Sequence, residues 1–276
     1  MTDMRDAALD ILKWYREAGV DEAVGEEPCD WSRMGAPIAL AFDAEDEALA
    51  PPPRRDAPAL PPQPVARAQP TVPLDPSALN ARELARHAPD LAALEAALAG
   101  FDGCPLKKTA KHLCFARGNP EARLMMIGEA PGRDEDLEGR PFVGRAGRLL
   151  DKMLSAIGMT ETDVYITNVV YWRPPGNRTP TPQEVEACKP FLERQIELIA
   201  PEVLVLLGGA AAKQVLATDE GIMKLRGKWR TFASAGREIR TIATLHPAFL
   251  LRTPAAKRQA WRDLLLIKAA LEGGST

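Results

Sequence analysis

Four residues at well-separated points of the chain carry side chains able to act on a single bound molecule: Glu129, Phe142, Asn168 and His246. Glu129 offers a carboxylate within Gly128-Glu129-Ala130-Pro131-Gly132, and Phe142 an aromatic ring within Gly139-Arg140-Pro141-Phe142-Val143-Gly144. Asn168 brings an amide at the end of an apolar run, and His246 an imidazole in Leu245-His246-Pro247-Ala248-Phe249-Leu250-Leu251-Arg252. Carboxylate and imidazole are the side chains most used to move or stabilise protons. An amide presents one donor face and one acceptor face, and an exposed ring stacks on a planar ligand. Each also has a structural alternative: a loop cap for Glu129, a turn bond for Asn168, a satisfied loop histidine for His246 and a core plug for Phe142. Position decides against these alternatives, because the four fall at matching strand ends.

Those strands are read from short, continuous apolar runs: Leu124–Ile127, Val164–Val170, Val203–Leu207 and Ile239–Thr244. Amphipathic stretches alternate with them at Arg145–Ile157, Pro182–Ile199, Ala210–Leu216 and Pro254–Leu271, preceded by a helical pattern over 79–98. Thr181, Pro182 and Glu184 form an N-terminal capping box for the Pro182–Ile199 helix. Runs that are apolar on both faces, alternating with helices, predict an α/β three-layer sandwich around a central parallel sheet. Ligands in such folds bind at the carboxyl ends of the strands, which is where the four side chains lie.

Upstream, the chain reads differently. Residues 5–18 carry apolar residues on one helical face, Asp43–Glu47 are acidic, and residues 51–80 hold ten prolines, a composition for an extended linker. The expected organisation is a helical and acidic extension over 1–50, a Pro-rich linker over 51–76 and a catalytic domain over 77–276. The N-terminal helix is expected either to dock on its own domain or to bind a protein partner. Residues 1–100 carry 9 Lys/Arg against 18 Asp/Glu, and residues 101–276 carry 26 against 20, so the second part is net basic and suited to a polyanion. No run approaches the roughly 20 apolar residues of a membrane span, and the acidic N-terminus does not resemble a signal peptide. A monomeric cytoplasmic protein acting at the bacterial nucleoid, with no membrane association, is expected. Gly128–Gly132 matches neither the dinucleotide nor the P-loop phosphate motif, which argues against a nucleotide-binding protein of flavodoxin type.

The motifs GEAPG, GRPFVGRAG, TN, RPPGNRTPTPQE and HPAFLLR, in that order over about residues 97–271, resemble those of family 4 uracil-DNA glycosylases. The resemblance implies a base-excision repair enzyme that flips uracil out of DNA and hydrolyses its N-glycosidic bond. It implies stacking by Phe142, pyrimidine recognition by Asn168, a hydrogen bond from His246 to uracil O2, and Glu129 beside the attacking water or the developing sugar cation. Gly128, Ala130 and Glu135 fall at further substrate-site positions. In DNA binding it implies Arg178 in the Gly176–Thr179 loop and Phe249, Leu250, Leu251 and Arg252 after the histidine, the apolar ones as wedges. A related branch that traps uracil covalently uses a histidine in a basic insertion, and residues 137–143 contain none. A non-catalytic DNA-binding sensor on the same fold is the alternative.

The chain departs from the family at its iron–sulfur cluster. The four ligand positions hold Phe101, Cys104, Trp172 and Cys188, so two thiolates are replaced by large aromatics, and Cys114 matches none of the four. No cofactor and no metal are therefore expected, with Cys104 and Cys188 left as buried thiols.

Overall fold

The computed structural model describes residues 76–273, with side chains from Asn80 onward. The expected helix over 5–18, its partner and the Pro-rich linker lie outside the described residues, except that Pro76 already opens a helix. In chain order the helices are α1 (Pro76–His87), α2 (Leu91–Gly100), α3 (Arg133–Glu138), α4 (Arg145–Ala156), α5 (Pro182–Ile199), α6 (Gly209–Leu216), α7 (Ile222–Leu225), α8 (Pro247–Arg252) and α9 (Lys257–Glu272). The strands are β1 (Arg117–Gly118), β2 (Leu124–Gly128), β3 (Val164–Asn168), β4 (Val203–Leu207), β5 (Trp229–Ser234) and β6 (Arg237–Thr244).

The six strands form one sheet in the order β1-β3-β2-β4-β6-β5. β3, β2, β4 and β6 are mutually parallel, while β1 and β5 add antiparallel edges, so the sheet is mixed rather than wholly parallel. β5 escapes a search for apolar runs because its side chains alternate between half-buried and exposed. It joins β6 through Ala235-Gly236, both at positive φ, the backbone that matches a tight hairpin to strand twist. The helical stretch expected over 79–98 is two helices: the chain breaks at Ala88-Pro89-Asp90, and Asp90 caps α2 by accepting the Ala93 N–H at 2.8 Å. The capping box on α5 is present, with the Glu184 carboxylate accepting the Thr181 N–H at 2.7 Å.

Successive side chains of β2 serve opposite cores. Met125 and Ile127 pack with Leu94, Leu98, Phe101 and Phe191 on one face; Leu124 and Met126 pack with Leu150, Leu154, Leu264 and Ile267 on the other. Both faces are thus covered, giving the three layers. Two buried polar groups tie the layers together. Gln195 on α5 links Tyr165 and Tyr171, donating to the first at 2.7 Å and accepting from the second at 2.9 Å. Asp263 on α9 accepts the Thr244 hydroxyl at 2.7 Å and the Arg226 guanidinium at 2.6 Å, which fixes the end of β6 immediately before His246. Burial raises the Asp263 carboxyl, and these two partners hold it back. Removing the carboxylate strands Arg226 in a largely buried setting, so Asp263→Ala is expected to cost about 3 kcal/mol in urea-unfolding free energy.

Candidate active site

The strand order reverses direction on either side of β2, and a cleft of about 450 Å³ opens at the carboxyl ends there. Glu129, Phe142, Asn168 and His246 all line it, together with Ala130, Glu135 and Arg178. The four side chains therefore do converge, three of them from strand ends, while Phe142 comes from the loop between α3 and α4 rather than from a strand end.

Asn168 is the last residue of β3 and pairs with Gly128, the last of β2. Its side chain is 1% exposed, yet neither its oxygen nor its nitrogen has a hydrogen-bond partner. A buried polar group left unpaired costs roughly 1–3 kcal/mol, so an unpaired amide in the wall of a cleft points to a ligand that pairs with it. Gly128 makes the arrangement possible: a Cβ there would run into the Asn168 oxygen and the Phe142 ring. Phe142 takes φ 56°, a left-handed conformation that costs a non-glycine residue of order 1 kcal/mol. That strain turns its ring into the cleft, 5.6 Å from the His246 ring with 30° between the planes.

His246 caps α8, its Nδ1 accepting the Ala248 N–H at 3.1 Å. An accepting Nδ1 in a neutral ring leaves the proton on Nε2, so the imidazole is a donor there. Burial, aided by the positive charge of Arg252, lowers its pKa to about 4. Gly208, at φ 93°, lets the backbone after β4 pass close, since a Cβ would lie 2.9 Å from the His246 Cβ. Glu129 is shifted the other way: burial raises its carboxyl, and a hydrogen bond from the Thr179 hydroxyl opposes the rise.

Several other expected residues take different parts. Both Glu135 oxygens are engaged by backbone, accepting the Gly132 N–H at 3.1 Å and the Gly144 N–H at 2.8 Å. It staples together the two glycine-bounded loops while still lining the cleft. Arg178 makes a two-pronged ion pair with Glu184 at 2.8 and 2.6 Å, so its first work is to brace the loop that carries Thr179. Leu250, expected among the wedges, is 1% exposed and belongs to the core, because α8 turns every third or fourth residue inward. Phe249 and Leu251, each 37% exposed, remain on the surface, and Phe249 and Arg252 border the cleft. The segment Leu207–Ala210 also lines the cleft and was missed; the signal was the Gly208-Gly209 pair directly after an apolar strand.

The cluster positions were tested by their donors. Cys104 and Cys188 lie with sulfurs 3.8 Å apart and fully buried, in the same core as the buried rings of Phe101 and Trp172. Phe101 packs on Phe191 with centroids 5.2 Å apart. Two thiols and two packed rings do not fit a cluster held by four thiolates. Cys114 points elsewhere, donating to the Glu135 carbonyl at 3.1 Å.

Residues 115–265 match the family model described as the uracil DNA glycosylase superfamily. A type-4 uracil-DNA glycosylase of Archaeoglobus fulgidus is 45% identical over 164 residues, 58% of this chain and 82% of the relative. A type-4 uracil-DNA glycosylase of Pyrobaculum aerophilum is 41% identical over 64% of this chain and 92% of the relative. The type-5 uracil-DNA glycosylase of Thermus thermophilus is 35% identical over 39% of this chain and 55% of the relative.

The histidine shift has a sign that can be measured. Its folded pKa of about 4 lies below the ordinary 6.5, so the stability tied to the neutral ring is complete above pH 6.5 and is lost as pH falls towards 4. Urea unfolding of wild type and His246→Asn, which keeps a capping side chain, should diverge over that window. The wild type is expected to lose of order 2 kcal/mol more than the variant.

Proposed function

The chain belongs to the uracil-DNA glycosylase superfamily, and on that premise we propose that it excises uracil from DNA by hydrolysing the N-glycosidic bond of a flipped nucleotide. The observation that carries this reading is the buried, unpaired amide of Asn168. Uracil presents an N3–H donor beside an O4 acceptor, the complement of an amide oxygen and an amide N–H. Cytosine presents an acceptor and a donor in the same places and would leave all four groups unpaired in a buried site, the kind of mismatch that gives large discrimination.

Chemistry follows from the same residues. Phe142 stacks on the flipped ring. The His246 Nε2–H donates to O2, where negative charge grows as the base departs, and a neutral donor held ready in the cleft stabilises that charge without reorganising. Glu129, its carboxyl raised by burial and steadied by Thr179, faces the sugar side. There it orients the attacking water and stabilises the positive charge on the deoxyribose. Ala130 lines the wall against the base, Gly128 leaves room for the Asn168 amide and the Phe142 ring, and Glu135 positions the loops that hold Phe142. Phe249 and Leu251 provide the apolar surface that meets the vacated base stack, and Arg252 the charge for a neighbouring phosphate. Arg178 reaches DNA only as part of the loop it braces.

The reading extends to cofactors: the enzyme works without an iron–sulfur cluster, because the donor set at the cluster positions is two thiols and two aromatic rings. Among the described residues no helix is long and apolar enough to cross a membrane.

Cleavage of a labelled uracil-containing oligonucleotide tests the activity. The wild type is expected to leave an abasic site, Asn168→Ala to lose about 10³-fold or more in kcat/KM, and His246→Asn about 10²–10³-fold. A wild type that binds DNA but never cleaves it, single- or double-stranded, would move the sensor reading ahead. Protein purified without oxygen should contain far less than one iron per chain.

A further inference from the structure

We infer that Cys104 and Cys188 are a peroxide-responsive dithiol, a modification site that closes to an intrachain disulfide. The two sulfurs sit side by side in the core, whatever reaction the cleft carries out. Their separation is 3.8 Å, and the two residues are 84 apart in sequence. A disulfide needs about 2.05 Å, so closure asks for an approach of roughly 1.8 Å, within reach of modest side-chain rotation. The Cys188 thiol donates to the Cys104 sulfur, and both belong to the core that holds Phe101, Phe191 and Trp172. The described residues contain no group of three or more metal-ligating side chains, so the pair has no metal-site partners to complete it.

The chain supplies its own control. Cys114 is equally buried, but its thiol donates to the Glu135 carbonyl at 3.1 Å, whereas the Cys188 thiol donates to a second sulfur. Oxidation should therefore distinguish the pair from the single thiol. The step balances with hydrogen peroxide as oxidant. The Cys104 sulfur, as thiolate with its proton passed to the departing oxygen, attacks the peroxide O–O bond and becomes a sulfenic acid, releasing water; the Cys188 sulfur then attacks that sulfur, and its thiol proton leaves with the displaced hydroxyl as a second water. Peroxide is small enough to reach buried sulfurs through local opening of the native state.

Closure has a structural consequence. Cys188 lies one turn beyond Glu184 on α5, and Glu184 holds Arg178 and the loop bearing Thr179. A bond to Cys104 would tie this helix covalently to the segment that precedes β1. It would restore the cross-link that a shared cluster provides, while leaving the cleft open.

The test treats native full-length Cys29→Ser protein with hydrogen peroxide, alkylates the remaining thiols and maps the peptides by mass spectrometry. A Cys104–Cys188 linked peptide is expected, lighter by two hydrogens, with Cys114 alkylated. The link should vanish in Cys104→Ser and in Cys188→Ser and be reversed by dithiothreitol. Linkage should raise the melting temperature by roughly 5 °C or more, as expected for closing a long loop. Free thiols at both positions, oxidation to sulfinic acids instead of a link, reaction at Cys114 first, or a link that lowers the melting temperature would each overturn the inference.

Discussion

An amide buried at the end of a central strand, with neither face hydrogen-bonded, is the constraint around which the rest of this site is arranged. Such a group is costly unless something outside the chain pairs with it. The fold bears that cost because the Asn168 backbone is locked by its register with Gly128, and because the two sheet faces are filled by separate cores. Gly128 can carry no side chain without colliding with the amide, and Phe142 accepts an unfavourable φ to bring its ring alongside. Local strain, a forbidden Cβ and an orphaned amide at one point are the features a pre-organised recognition site shows before its ligand arrives.

Electrostatics complete the arrangement by moving two groups in opposite directions for the same physical reason. Burial disfavours the charged form of each, so His246 is held neutral and the Glu129 carboxyl is raised. The neutral imidazole has its proton directed by a backbone bond to the other nitrogen. A donor aimed at growing negative charge and a carboxyl facing growing positive charge suit a reaction that separates charge along one bond. Two carboxylates brace the loops around them, Glu135 between two glycine-bounded loops and Glu184 on Arg178.

Much of this was legible in the sequence. β4 and α5 have the bounds expected from their apolar run and capping box, because buried strands and capped helices are signalled locally. The convergence of Glu129, Asn168 and His246 followed from their placement at strand ends, whereas Phe142 reaches the cleft from the loop between α3 and α4. What the sequence hid depends on non-local pairing. β5 is half-exposed and is a strand only because β6 lies beside it. Leu250 is buried because α8 forms against the second core, and a tripeptide of apolar residues does not announce which one faces inward. Arg178 and Glu135 line the cleft as expected, but their bracing partners, six and nine residues away, could not be read from the chain.

The central claim is that the Asn168 amide reads the N3–H and O4 of a flipped pyrimidine. Its most direct test compares excision of uracil and of N3-methyluracil from otherwise identical oligonucleotides by the wild type and by Asn168→Ala. Methylation removes the donor that the amide oxygen would accept and places bulk against it. The account predicts a loss of 10³-fold or more for the wild type and little further loss for the variant. An equal loss in both proteins would contradict it, since the amide would then have no part in reading that edge of the base.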